Sequence, residues 1–431
     1  MIKVGTGTKV ITPPVGTSLA GYFHERKSTA VHDDLLAKAV VLDNGTAKTA
    51  ICVCDLLWIQ SYQTAEIRRL VHSEVGIPPE NIMVSTTHTH TGPETRIHQP
   101  LVLPNDKYVQ ELPRLIADAI IEAHSNMKPA TLRLGEEYED RIAFNRRYRM
   151  KDGSVRFNPP KQDPNILGPD GPIDPQMNVL RIDGEDGKPI AILANYALHV
   201  DVMGGCEISA DFPGEMARIV SSIYESKPLV IFLQGAQGNI NHRDVSDPRK
   251  QSGWDEVVRI ARVLAGKVLA ASELSTPMCS EVLAAKTRIL DILYHPLTDQ
   301  LRRRAAEIRS MPNPSEFDLA QAKLIEKYEL DGKNANVELQ VIRVGDTAFV
   351  GIPGEYFVEY GLSIKEWSPF SQTFIVGLAN ACFGYIPTQD AFYPGTYETM
   401  PILSATLEPS AGVRIANAAG DILREMELLN Q

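Results

Sequence analysis

The sequence predicts an α/β fold in which large, mixed β-sheets are flanked by helices. Three observations carry this. Short runs rich in Val, Ile and Leu recur along the chain, and stretches with apolar residues at three- and four-residue spacing lie between them. One run, Leu229-Val230-Ile231-Phe232-Leu233, is continuously apolar, as a strand covered on both faces requires. At 431 residues the chain is read as one large domain over 1–431.

The elements follow in order. Residues 39–42 and 50–54 flank the turn residues Asp43, Asn44 and Gly45 and read as a hairpin. A helix over 62–75 stops at Gly76, a strand follows at 82–86, and a second helix covers 106–124. In that helix Val109, Leu112, Ile116, Ile120 and Ala123 make one core-facing stripe. Between 151 and 176 the pattern dissolves into Asp152-Gly153, Pro159-Pro160 and Gly168-Pro169-Asp170-Gly171-Pro172, a lid candidate or a plain surface excursion. Strands resume at 178–182, 190–196 and 229–233, the last opening into the glycine-containing loop 235–239. Helices are expected over 255–271 and across the charged stretch 299–328, which reads as a solvated helical pair without chemistry. A hairpin at 336–344 and 347–352, a helix beginning at Glu355, a strand at 373–378 and a closing helix over 410–427 complete the chain.

Composition narrows the function. A hydrophobic content of 43% with 7% aromatics is ordinary for a globular protein. With 43 Lys+Arg against 54 Asp+Glu the net charge is -11, which disfavours nucleic acid as a partner. No run approaches the length of a membrane span, so no integral membrane segment is expected. The start, Met1-Ile2-Lys3-Val4, lacks the pattern of a secretory signal, and the five cysteines have no zinc-finger spacing. A cytoplasmic location with reduced thiols is the expectation.

The most informative segment is Thr87-His88-Thr89-His90-Thr91-Gly92-Pro93. In an extended chain, side chains at i and i+2 share a face, so His88 and His90 leave the strand as a pair of imidazoles. Neutral imidazole is a common zinc ligand, and the Gly-Pro that follows keeps the rings at an edge. The bland alternative is a polar strand-to-loop corner satisfied by backbone. His199, the 235–239 loop, Glu355 and Tyr385 also each follow an apolar run. In α/β sheets, ligands gather where the carboxyl ends of strands converge, which gives these residues one address. His98, His72, His124 and His295 lack convergent partners and are expected at the surface. His24 and His32 are candidates for the border of the pocket, and His242 for a place beside the 235–239 loop. Asp55 and Asp211 are candidate carboxylates for orienting a ligand histidine.

These residues carry a resemblance. Ile11-Thr12-Pro13-Pro14 with Leu19-Ala20-Gly21-Tyr22, then 87–93, then Asn195-Tyr196-Ala197-Leu198-His199, then Pro353-Gly354-Glu355, resemble the catalytic domain of the neutral/alkaline, non-lysosomal ceramidases. The likeness runs from about Val10 to Tyr397 and implies a ceramidase-like catalytic domain without the carboxyl-terminal sandwich domain. It implies one Zn²⁺ held by His88, His199, Glu355 and Tyr385, with His90 beside it as acid/base or orienting group. It also implies that Arg146, after Asn145 and next to Arg147, and Tyr397 hold the substrate carbonyl. Where ceramidases carry a Gly-Asp-Val-Ser-Pro-Asn segment, this chain has Gly238-Asn239-Ile240-Asn241-His242. Asn241 stands in place of a serine and cannot readily lose a proton. Gly238, Asn241 and His24 are therefore carried as candidate substrate contacts.

The resemblance implies a zinc-dependent hydrolase that cleaves an amide, or an ester, with metal-activated water; the departure at Asn241 and the lack of a sandwich domain point to a small-molecule substrate other than ceramide itself. Two further readings are a metal-dependent carbohydrate-active hydrolase or lyase acting on a glycoside, and an inactive binding protein on the same scaffold. An apolar tunnel near the metal selects the acyl reading; aromatics and short polar groups select the sugar reading.

Overall fold

The structure, a computed structural model, describes residues 2–97, 101–393 and 395–428. Its centre is a nine-stranded mixed sheet. The order from one edge is Leu229–Gln234, Pro189–Tyr196, Gln176–Gly184, Lys128–Tyr138, Lys3–Val10, Leu36–Asp43, Lys48–Cys54 and Ile82–Thr86, with Thr276–Pro277 paired onto Lys128–Tyr138. The outermost pairs at both edges are parallel and the inner ones antiparallel. A second sheet of four strands runs Leu283–Leu293, Asn334–Val344, Thr347–Gly351 and Gln372–Val376, its last pair parallel.

The two sheets face one another across a core that includes Ile51, Met83, Leu193, Leu233, Phe349 and Phe374, all fully buried. Each such side chain contributes roughly 1.5–3 kcal/mol by leaving water. Helices Ser61–Val75 and Asp106–Ser125 pack the outer face of one half of the large sheet, and Asp211–Ile223 and Trp254–Glu273 the other half. Val358–Trp367 and Ala411–Glu427 cover the small sheet. The molecule thus has helix, sheet, sheet and helix layers, the α/β class with large mixed sheets. No helix among the described residues is long and apolar enough to cross a membrane.

Local chemistry explains the boundaries. Helix Ser61–Val75 opens with a reciprocal Gln60/Gln63 box and ends at Gly76, whose φ of 71° lets its N–H reach the His72 carbonyl. Glu355 does not start a helix. Glu355–Tyr356 pairs in parallel with Tyr385–Ile386, and the helix begins only at Val358, after Asn239 Oδ1 has taken the Val358 N–H. Residues 151–176 are not structureless: strands Val155–Phe157 and Ile166–Pro169 flank Arg147–Met150 in a small antiparallel sheet.

Strands Ile82–Thr86, Pro189–Tyr196, Leu229–Gln234 and Thr347–Gly351 send their carboxyl-terminal loops to one place. Gln234 fastens them, its Nε2 donating to the carbonyls of Thr87 at 3.2 Å and Leu198 at 2.8 Å. An amide buried this deeply is stable only with such partners, so it sets the spacing between the two histidine loops.

Candidate metal centre

Three imidazoles converge where those loops meet. His88 Nε2 lies 3.2 Å from His199 Nε2, and His90 Nε2 lies 3.3 Å and 3.1 Å from the same two atoms. Glu355 Oε2 stands 3.2 Å from His88 Nε2 and 3.9 Å from His199 Nε2. All four side chains are buried. The histidines do not meet because of strand pleating: the strand ends at Thr86, and His88 sits beyond it with φ of 74°, a left-handed conformation costly for a side-chain-bearing residue. The turn at His88, not alternation along an extended chain, brings its ring edge-on to that of His90 at 4.9 Å.

The protonation pattern is set by the surroundings. His88 Nδ1 faces the Leu57 carbonyl at 3.0 Å; a carbonyl only accepts, so Nδ1 carries the proton and the Nε2 lone pair points into the cluster. Burial, reinforced by the neighbouring His88, pushes His90 and His199 well below the usual imidazole range, so both are neutral at pH 7. Burial alone pushes Glu355 up, but the adjacent His88 and Arg146 and a hydrogen bond from Tyr385 bring it below the usual carboxylate range. Glu355 Oε2 nevertheless lacks a well-formed hydrogen bond although fully enclosed. The bare Nε2 lone pair of His88, two further neutral imidazole nitrogens and an under-satisfied carboxylate oxygen facing one point fit a divalent cation, and this nitrogen and oxygen donor set is one that zinc accepts.

Arg146 and two tyrosines close one side. Arg146 donates from Nε to Glu398 Oε1 at 2.8 Å and from Nη2 to the Gly238 carbonyl at 2.8 Å, while Nη1 faces His199 Nδ1 at 3.5 Å. The carboxylate of Glu398 is wholly buried, and it also lies 3.8 Å from Arg147. Tyr385 shares hydrogen bonds with Arg146 and Glu355, and burial raises its phenol well above the ordinary tyrosine range. The Tyr397 ring lies edge-on to that of Tyr385, centroids 5.5 Å apart. Arg147 turns away to Asp170, Thr396 and the Ala391 carbonyl. Of the two adjacent arginines, Arg146 alone enters the cluster.

The remaining predicted contacts lie elsewhere. Asn241 is occupied, its Nδ2 donating to Asn158 and its Oδ1 accepting from the Arg243 N–H, and it does not line the cavity. Gly238 is a packing position: a Cβ there would meet the Glu355 carbonyl at 2.4 Å. His24 points to Glu316, 2.6 Å away, on a half-exposed outer surface. Asp55 pairs with Lys38 at 3.3 Å and accepts the Leu36 N–H, remote from any ligand histidine. Asp211 binds the Val202 and Met203 N–H groups, supporting the loop after His199 without touching it. His242 donates to or accepts nothing from the cluster; its Nε2 faces the Gln251 carbonyl. His32 lies against Trp254, ring centroids 4.0 Å apart, and His98 falls outside the described residues. His72, His124 and His295 each have a local partner outside the cluster.

Two contributors escaped the sequence reading. Asp201 Oδ2 lies 3.9 Å from His90 Nδ1 and accepts from the Tyr22 hydroxyl at 2.8 Å through Oδ1. Its signal was its place two residues after His199. Glu398, the anchor of Arg146, gave no signal beyond its position next to Tyr397. Gly21 is also part of the fit: a Cβ there would lie 2.4 Å from His90 Nδ1.

His88, His90, Glu355, Tyr385 and Tyr397 line a cavity of about 1010 Å³. One wall is apolar, with Leu324, Phe383, Ile402 and Leu403, and Arg96, Glu326, Lys327 and Glu329 supply charge elsewhere in the lining. Arg96 lies flat on Trp58, its guanidinium carbon 3.7 Å from the ring centroid, held by the buried Glu94.

A four-layer α/β fold with a buried histidine and glutamate cluster at its strand ends defines a class of protein whose site could hold a metal ion. Within that class, the family model described as neutral/alkaline non-lysosomal ceramidase, N-terminal, matches residues 2–229, more than half of the chain, and the chain belongs to this family. Neutral ceramidase A of Dictyostelium discoideum is 26% identical over 266 residues, covering 57% of this chain and 35% of that protein. Neutral ceramidase B of the same organism is 26% identical over 227 residues, covering 49% and 30%. The matched part therefore spans about a third of those relatives. A crystal structure of neutral ceramidase from Pseudomonas aeruginosa superposes with a TM-score of 0.75 at 19% identity, covering 97% of this chain and 73% of that one. A structure described as ceramidase complexed with C2 gives 0.79 at 18% identity, covering 99% and 75%. These likenesses establish the fold.

Proposed function

We propose that the protein is a metal-dependent hydrolase that cleaves the amide bond of an N-acyl compound. The observation that carries this is the meeting of three imidazole Nε2 atoms and one under-satisfied carboxylate oxygen, with His88, His90 and Glu355 lining a partly apolar cavity. In this reading His88, His199 and Glu355 hold a zinc ion, with Tyr385 completing the set. Bound there, zinc supplies Lewis acidity and lowers the pKa of water towards about 7.

The chain's own groups do the rest. His90, neutral and facing Asp201, accepts a proton through Nε2 and returns it to the departing amine. Asp201, 3.9 Å from Nδ1, is the negative charge that favours the protonated ring. The phenol of Tyr397, kept protonated because burial raises its pKa, donates a hydrogen bond to the carbonyl oxygen as negative charge develops. Arg146 holds Tyr385 and supplies a fixed positive charge behind it. Its own hydrogen bonds to Glu398 and Gly238 make it a holder of the site more than a direct clamp.

The apolar wall of Leu324, Phe383, Ile402 and Leu403 suits an acyl chain and favours an amide or ester over a glycoside. The charged lining groups favour an acyl group carried on a polar, soluble partner over ceramide. The test is a side-by-side assay of zinc-loaded protein on N-acyl amino acids, acyl esters and ceramide, read as released fatty acid. Preferential release from the soluble amides supports the proposal; zinc-independent release, or release from ceramide alone, contradicts it.

A further inference from the structure

The charged stretch expected to be a solvated pair without chemistry instead borders the cavity. Helices Asp299–Ser310 and Glu316–Glu326 form a stiff unit. Each opens on a side-chain cap, Thr298 and Ser315, and Arg304 to Asp318 and Arg309 to Glu326 tie one helix to the other. Their small core of Ala305, Ile308, Ala322 and Ile325 takes in Ile402 from the body of the protein. Leu324, from the second helix, lines the same cavity as His88 and Glu355.

The unit meets the body at one aromatic junction. Phe317, in the first turn of the second helix, places its ring 5.3 Å from Phe23 and 5.6 Å from Tyr397, in edge-to-face arrangements. Its neighbour Glu316 pairs with His24 at 2.6 Å. Phe317 is 44% exposed, so its inner surface is committed to these rings while its outer edge meets water. Tyr397 also touches Phe157 at 5.2 Å and Tyr385 at 5.5 Å. Its ring is thus fixed by aromatics from the amino-terminal loop, the 151–176 segment and the helical pair, and it packs edge-on to Tyr385.

We infer that the helical pair is a wall of the reaction cavity and that Phe317 is a positioning residue, holding Tyr397 in register with Tyr385. The effect on turnover rests on the hydrolase reading above; the effect on the Tyr397 segment does not. A group that must reach a reacting carbonyl loses roughly a hundredfold in rate when displaced by about 1 Å, so removing one of its supporting rings is felt in turnover first.

The experiment compares Phe317→Ala, Phe317→Tyr and Leu319→Ala in the zinc-loaded full chain. Leu319 lies on the same helix and is 42% exposed. Hydrogen–deuterium exchange of the Thr399 and Met400 amides, which bond back to Thr396 and Tyr397, reports the seating of the segment. The expected result is faster exchange there in Phe317→Ala, wild-type exchange in the other two, and unchanged metal content. With the substrate identified, kcat falls roughly tenfold to a hundredfold in Phe317→Ala with little change in KM, and Phe317→Tyr restores it. Wild-type exchange in Phe317→Ala overturns the inference whatever the substrate. Faster exchange in Phe317→Ala alone, with no hydrolysis by the wild type, sinks the hydrolase reading and leaves the positioning role supported.

Discussion

The Nε2 atoms of His88 and His199 lie 3.2 Å apart across 111 residues of sequence, with Glu355 Oε2 beside both. Because the His88 proton is committed to the Leu57 carbonyl, the pair is organised for a cation and not for a hydrogen-bonded chain of its own.

His90 separates two roles. Its Nε2 is as close to the common point as the other two, but its Nδ1 lies 3.9 Å from the Asp201 carboxylate, a negative charge placed to stabilise the ring once it has taken a proton. His90→Gln is expected to keep stoichiometric metal while kcat/KM falls roughly 10²- to 10⁴-fold. Metal analysis alongside kinetics decides it, and loss of the ion would place His90 among the ligands.

Glu398 neutralises two buried arginines. Glu398→Ala leaves Arg146 uncompensated and Arg147 short of a neighbouring charge, which is expected to cost about 3–5 kcal/mol in urea unfolding. A loss under about 1 kcal/mol contradicts the pairing as the anchor of Arg146.

Gly238 lies against the Glu355 backbone. The methyl group of Gly238→Ala meets the Glu355 carbonyl at 2.4 Å, so the strand carrying Glu355 must move. A stability loss of about 1–3 kcal/mol together with weaker zinc binding is expected, measured by unfolding and by metal titration. Unchanged zinc affinity would detach this loop from the site.

Asp211 supplies a pH signature. Burial raises its carboxyl to about 6, against the pull of the N–H groups of Met203, Val202 and Phe212. The folded state therefore holds this proton more tightly than the unfolded chain, whose value is near 3.9. Its contribution to stability is greatest below about pH 4 and is lost as pH rises through about 6. In Asp211→Asn that dependence vanishes, so the stability difference from wild type shifts by about 2 kcal/mol between pH 4 and pH 7, the variant gaining relative ground. Parallel urea-unfolding curves across that range would contradict this.

Much of the layout was legible because periodicity reports burial. The apolar run 229–233 is a strand covered on both faces, and helix Ser61–Val75 stops where Gly76 permits a left-handed turn. Strand-end placement grouped His88, His90, His199, Glu355 and Tyr385 correctly in space. The local geometry was not legible: His88 converges through a left-handed turn, and Glu355 opens a parallel bridge to Tyr385, because both depend on partners far away in sequence. Phe317 and Glu398 were hidden for the same reason. A half-exposed aromatic in a charged helix and one carboxylate among many gain meaning only from the rings and guanidinium groups that tertiary folding sets against them.

The most direct measurement is calorimetric titration of Zn²⁺ into metal-stripped wild type, His88→Ala, His199→Ala and Glu355→Gln. The account predicts one tight site per wild-type chain, lost in both histidine variants and weakened in Glu355→Gln. Binding of equal strength in all four proteins, or in none, would contradict it.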